Sequence, residues 1–261
     1  MKIYEQLGMP LPIEGEVGIE VEVEGHNLPT QWVNRAVPWR IVGDGSLRGE
    51  GREFVLRKPV KRDRYATCLG ILRNEIEAKG SQVISSNRCG VHVHINCQEL
   101  EISDVISIIT TYLCLEEVLV KWCGEERVGN LFCMRVSDAP GIIRNIHHLI
   151  DVNDVRGVAT NKIRYASINL KALATYGSLE FRSMRSDLTP GVIESWIDML
   201  LRIKDFSVGK KADDIISQFS FKGPQDFFND VLGDYRDEIN PCEFDLVSGM
   251  RNAQEVAFYA A

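Results

Sequence analysis

The sequence predicts an α+β fold: a mixed, largely antiparallel sheet carried by residues 16–183, helices on its other face, and a helical C-terminal part. Three observations lead there. Short segments with strict two-residue alternation recur between blocks with helical spacing. Several of these segments set apolar residues on one face and ionisable residues on the other, as a sheet covered on one side requires. After residue 189 only helical blocks and turns remain. At 261 residues, 44% apolar and 26% charged, the chain can bury one full-sized core. It is read as a single domain over 1–261, with the strands within 16–185 and the helical part over 190–261.

In chain order, residues 16–24 read Glu-Val-Gly-Ile-Glu-Val-Glu-Val-Glu. Val17, Ile19, Val21 and Val23 face one way; Glu16, Glu20, Glu22 and Glu24 face the other, with Gly18 among them. Residues 39–42 form a second strand, followed by the turn Gly43-Asp44-Gly45-Ser46, and 53–57 a third that ends before Pro59. Tyr65, Cys68, Leu69, Leu72 and Ile76 recur at helical spacing within 61–79, and Gly80 supplies the stop. Residues 90–96 alternate again, Val91, Val93 and Ile95 against His92, His94 and Asn96. The apolar run 103–122 predicts a buried helix ended by Gly124, and a shorter helix starts near Ala139-Pro140 and passes through His147 and His148. Strands at 165–170 and 178–183 follow, joined by a turn near Tyr176-Gly177. Thr189-Pro190 opens a helix, with a hydroxyl cap and proline in the first turn. Turns at Gly209, Gly223-Pro224 and Asn240-Pro241 divide the remaining helices.

The formal net charge of −7 speaks against a protein that coats nucleic acid, since phosphate binding needs a basic surface. No apolar run approaches a bilayer span, and Met1-Lys2-Ile3-Tyr4-Glu5 does not resemble the start of a signal peptide. The seven cysteines are an odd number with no Cys-x-x-Cys pair, which predicts reduced, buried thiols and a cytoplasmic location.

The polar faces carry the chemistry. Four glutamates on one strand face repel one another unless cations answer them. A solvated outer face of an antiparallel sheet would accommodate them equally well. His92 and His94, two residues apart, project from one face; Glu180 and Arg182 repeat the spacing, and Glu53 lies on a strand after a glycine-rich turn. If these strands are neighbours, carboxylates, imidazoles and an arginine meet in one basin. Carboxylate oxygens with an occasional nitrogen suit Mg²⁺ or Mn²⁺, and arginine suits a polyphosphate beside the metal.

Gly18-Ile19-Glu20-Val21-Glu22 resembles the Glu-x-Glu strand of the glutamine synthetase and glutamate–cysteine ligase superfamily. Asn87-Arg88-Cys89-Gly90-Val91-His92-Val93-His94 resembles its Asn-x-x-Gly-x-His-x-His segment, and Ser178-Leu179-Glu180-Phe181-Arg182 its Glu-x-Arg strand. Asp44-Gly45-Ser46 leading to Glu53-Phe54-Val55, the Cys89-Gly90 pair, and residues 165–170 with Asn169 are similar to the amidoligase branch, found in phage and microbial genomes. The likeness covers roughly 16–185; Ile95-Asn96 departs from the glutamine synthetase pattern, and 190–261 match no motif.

The resemblance implies a glutamine-synthetase-like catalytic basin and an ATP- and Mg²⁺- (or Mn²⁺-) dependent carboxylate–amine ligase working through an acyl phosphate. It places Glu20, His92 and Glu180 on one metal and Glu22 and Glu53 on a second. His94 and Arg182 would contact the transferring phosphate, Asn87 and Asn169 the substrates, and Arg164, Arg185 and Arg135 anions. The implied partners are a small-molecule or peptide carboxylate and an amine. A metal-dependent hydrolase or nuclease, or a binding protein without chemistry, would use the same acidic basin. Glu50, His26, His147 and His148 are expected outside the site, and the basic run Arg57, Lys58, Lys61, Arg62 and Arg64 is read as a solvated helix start able to screen an anionic substrate.

Overall fold

The computed structural model describes residues 1–261 apart from 33, 35, 85, 140, 160–164, 238 and 240. Its sheet is built from β1 (Val17–His26), β2 (Trp39–Val42), β3 (Arg52–Leu56), β4 (Gln82–Ile84), β5 (Gly90–Asn96), β6 (Ile168–Asn169) and β7 (Ser178–Arg185). The strand order is β2-β3-β1-β5-β7-β6, with β4 paired to the far end of β1. Each of these pairings is antiparallel.

The alternation in the sequence becomes the two faces of this sheet. Val17, Ile19, Val21, Val91, Val93, Ile95, Leu179 and Phe181 are all buried on the helix side. Cross-strand partners share a face, so the register draws the polar residues into rows. One row runs Arg40–Val55–Glu20–His92 across β2, β3, β1 and β5. A second runs Gly18–His94–Glu180–Asn169, and Glu22 faces Glu53 in a third. Between Val91 and Val93 the β5–β7 register shifts, so that Arg182 and Ser183 together lie opposite His92. This bulge reverses the parity of β7, and Met184 rather than Ser183 continues the apolar face.

The helices are α1 (Ile3–Gln6), α2 (Tyr65–Ala78), α3 (Ile102–Trp122), α4 (Gly141–Val152), α5 (Lys171–Tyr176), α6 (Val192–Ser207), α7 (Ala212–Leu232) and α8 (Val247–Ala260). Helix α3 is buried on nearly every side, as its apolar run requires, and packs against the sheet, α6, α7 and α8. Its contact with α8 is close: a Cβ on Gly249 would come within 2.5 Å of the Leu113 carbonyl oxygen. Apolar residues of the strands and of the C-terminal helices belong to one continuous core. The cysteines Cys68, Cys89, Cys97, Cys114, Cys123 and Cys133 are buried free thiols.

Several boundaries differ from expectation. Residues 165–170 pair as a strand only at Ile168–Asn169, while Ala166 makes a separate parallel bridge to Met134. The expected turn at Tyr176-Gly177 is preceded by α5, which Gly177 ends in the left-handed conformation at φ 68°. Helix α6 begins at Val192 rather than at the Thr189 cap; the Thr189 amide donates instead to Asp187 Oδ1 at 3.0 Å. His26 is the last residue of β1, not part of a turn, because β4 extends the pairing to it. The Gly223-Pro224 break is a kink inside α7, with Gly223 at φ 80°. Among the described residues, no helix is long and apolar enough to cross a membrane.

Candidate active site

The polar rows of the sheet floor a cavity of about 730 Å³, lined by Glu20, Glu22, Glu53, His92, His94, Asn169, Glu180 and Arg182 from five strands. Sheet geometry brings them together: each occupies an outward position on β1, β3, β5, β6 or β7, and the strands are adjacent. His92 Nδ1 lies 3.1 Å from Glu20 Oε2, and His92 Nε2 lies 3.7 Å from Glu22 Oε1. His94 Nε2 is 3.3 Å from Glu20 Oε1, and His94 Nδ1 is 3.1 Å from Ser178 Oγ. Gly18 makes room for the His94 ring, since a Cβ there would sit 3.2 Å from His94 Cβ.

Glu180 is held from two sides. Arg182 Nη1 donates to its Oε1 and Asn169 Nδ2 donates to its Oε2 at 2.6 Å. The other Asn169 atom, Oδ1, accepts from the Lys171 amide, so the start of α5 fixes the amide that orients the glutamate. Glu22 Oε2 accepts from the Gly90 N–H at 2.8 Å, which ties it to the base of β5. Arg127, fully buried, donates to the carbonyls of Arg182, Ser183 and Cys89. It thereby satisfies two consecutive carbonyls at the bulge and pins β7 to the start of β5. A Cβ at Gly90 would come within 2.9 Å of Arg127 Nη2, which accounts for the glycine at that position.

The carboxylates fall into contrasting electrostatic settings. Burial raises the pKa of Glu20, yet His92 and His94 outweigh it and hold the group well below the usual range. Burial likewise works against Glu180, and His94, Arg182 and His92 together lower it. Burial opposes protonation of His94, but Glu20 and Glu180 raise its pKa. Glu53 behaves oppositely to the other two glutamates: burial, then the charges of Glu20, Glu22 and Asp44, push it up to about 8. A carboxylate raised by like charges in a polar basin indicates a site short of positive charge.

Among the described residues, two groups of side chains bring candidate ligand atoms within 4.8 Å of one another: Glu20, Glu53 and His92, and Glu20, His94 and Glu180. Oxygen-rich sets with one imidazole each match the preferences of Mg²⁺ or Mn²⁺. Among the described residues the buried Arg182 Nε has no hydrogen-bond partner, and His94 Nε2 has only the Glu20 carboxylate beside it, as a ligand completing the site would require. The resemblance groups Glu20 with His92 and Glu180, and Glu22 with Glu53; His92 Nδ1 also lies 3.8 Å from Glu180 Oε1, and Glu22 faces Glu53 across β1 and β3.

The weaker candidates lie elsewhere. Arg185 donates to the Trp122 and Cys123 carbonyls and pairs with Asp187. Arg135 pairs with Glu117 and Asp138, and Asn87 is exposed, its carbonyl accepting from Asn130. None of the three lines the cavity. Arg164 lies outside the described residues. Glu50 accepts from the Asn27 amide in a surface loop, and His147 stacks on Tyr259.

The rest of the cavity lining comes from loops and from α5. Asp44 and Ser46 come from the turn before β3, and Lys171, Thr175 and Tyr176 from α5. Arg88 donates from Nε to the Ser46 carbonyl at 2.8 Å and lies over the Phe132 ring, which meets Tyr165 edge-on. Apart from Asp44 and Ser46, which stand in a recognisable glycine turn, only the fold gathers them.

Residues 39–204, well over half of the chain, match the family described as "Putative amidoligase enzyme". No curated protein matches the sequence. The chain therefore belongs to the amidoligase family.

Proposed function

We propose that this protein is an ATP- and Mg²⁺-dependent ligase that joins a carboxylate to an amine. The observation that carries the proposal is the sharing of Glu20 between two ligand groups beside an arginine whose Nε is unpartnered. Such a basin suits a polyphosphate bridged by metal to a second reactant.

Glu20, Glu53, His92, His94 and Glu180 would hold the metal, which supplies neutralisation of phosphate charge when bound. Arg182 is fixed by Glu180 and by the bulge, so its remaining donors present a preorganised fork to the transferring phosphoryl group. His94, with Nδ1 at Ser178 and Nε2 toward Glu20, would serve the metal through Nε2. Asn169 keeps Glu180 oriented throughout.

The chemistry is driven by phosphate. A carboxylate oxygen attacks the γ-phosphorus of ATP, the bond to ADP breaks, and an acyl phosphate forms. The amine nitrogen then attacks the acyl carbon; phosphate leaves and the amine loses a proton. A screen of paired acids and amines with ATP and Mg²⁺ tests this, with mass spectrometry for a product lighter by one water than its reactants combined. ADP and phosphate should appear only with a productive pair. Cleavage of phosphodiesters in the absence of ATP would contradict the assignment.

A further inference from the structure

Beside the main cavity lies a second, smaller one of about 190 Å³ on the same face of the sheet. The two share a wall made of Glu20, His94 and Tyr176. The smaller compartment opens over Gly18, where no side chain rises from the sheet, and is flanked by Arg40, Arg57 and Lys58. Among the described residues none of these three cations forms an ion pair, whereas the neighbouring Lys61 and Arg62 pair with Glu14, Glu16 and Asp205. Only the Arg57 Nε is engaged, weakly, with the Val37 carbonyl at 3.3 Å. All three are exposed, and together they make this opening electropositive in a chain of net charge −7, a setting that favours an anion.

Size and spacing narrow the choice. Ligand pockets for drug-sized molecules fall at about 300–1,000 Å³, so the main cavity suits a nucleotide and the smaller one does not. Arg40 shares a row with Glu20 through Val55. Two strand spacings separate their Cα atoms, about 9.5 Å. The arginine side chain spans part of that distance, leaving room for a short chain between its guanidinium and the metal-binding wall.

Resting on the proposed ligase chemistry, we infer that the smaller compartment holds the carboxylate donor, and that this donor carries a second acidic group. The reacting carboxylate lies against Glu20 and His94. The distal anion lies among Arg40, Arg57 and Lys58. The basic run after β3 is thus divided: Lys61 and Arg62 tie the surface together, and Arg57 and Lys58 select substrate. Gly18 serves the compartment twice, by giving floor space and by letting His94 sit close to β1.

Calorimetry in Mg²⁺ with glutarate and with butyrate, on the full chain and on an Arg40→Ala, Lys58→Ala double variant, tests the assignment. Both substituted side chains are exposed, so the variant should melt like wild type. Glutarate should bind roughly tenfold to a hundredfold more tightly than butyrate, as expected for an added charge-assisted contact. The double variant should lose that preference while its affinity for ATP with Mg²⁺ stays unchanged. Equal binding of the two acids, or a variant that weakens ATP instead, would overturn the inference. So would discrimination seen only among amines, with glycine bound and methylamine not. Hydroxamate formation from glutarate, ATP and hydroxylamine reports separately on the ligase chemistry: retained acid preference without ATP-dependent hydroxamate would leave the acidic subsite standing and remove the ligase.

Discussion

Arg182 and Glu53 are the residues at which the site's electrostatics are most exposed to test. Lysine in place of Arg182 keeps the charge beside Glu180 but replaces a fixed fork of donors with a mobile point charge. The Arg182→Lys protein should melt close to wild type, while ligation slows by about a hundredfold or more, measured as single-turnover phosphate release. An unchanged rate would make Arg182 structural. For Glu53 the sign runs opposite to most glutamates. Its folded pKa of about 8 exceeds the ordinary 4.5, so its contribution to stability is complete below 4.5 and is lost as pH rises through about 8. His94, also raised, adds to the same loss toward alkaline pH. The metal-free protein should therefore lose melting temperature between pH 6 and 9, Glu53→Gln should flatten that fall, and Mg²⁺ should raise the melting temperature more at pH 9 than at pH 6. A Glu53→Gln curve parallel to wild type would contradict this. Glu20, Glu22, His92, His94, Glu180 and Arg182 were legible in the sequence because strand parity alone sets their direction. Arg88, Phe132 and Lys171 were not, because loop and helix starts carry no such parity.

At the scale of elements, the bulge in β7 organises the site, and Arg127 maintains it. The guanidinium donates to two consecutive carbonyls where the pairing is irregular. Arg127→Met fills similar space without donors, leaving buried carbonyls unpaired at about 1–3 kcal/mol each. Denaturant unfolding should show a loss of at least about 2 kcal/mol, and turnover per folded molecule should fall because Arg182 is no longer fixed. Wild-type stability in that variant would show that the bulge holds itself. Strands β1, β2, β3 and β5 were readable because alternation and flanking glycine or proline agree. Strand β4 has three residues, all exposed, and so offers no pattern to detect. The stretch 165–176 misled because its apolar residues face the core through a two-residue strand and a six-residue helix, each too short to show a period. The bulge itself has no sequence mark; it is implied only by Met184 and Phe181 both lying on the apolar face, an odd number of residues apart.

Over the whole molecule, the sheet presents its polar residues on one face and the helices bury the other. Helix α3 lies between the sheet and the C-terminal helices, with residues such as Ile109, Leu113 and Val118 fully buried. Removing residues 190–261 would expose much of that helix, so the truncated chain should be insoluble or molten, as judged by expression and near-ultraviolet circular dichroism. A soluble, cooperatively folded fragment would mean that the helical part is a separate unit. The division into a polar face and a buried face follows from sequence periodicity; the partition of the polar face into two compartments does not, since it depends on how loops and α5 rise above it. The central claim is that a substrate carboxylate takes the γ-phosphoryl group of ATP. It is tested most directly by following oxygen from the acid, using a donor found in the screen and labelled with ¹⁸O in its carboxylate. Mass spectrometry of the released phosphate should find one ¹⁸O per turnover with ADP as the co-product; unlabelled phosphate, or label carried into AMP, would contradict it.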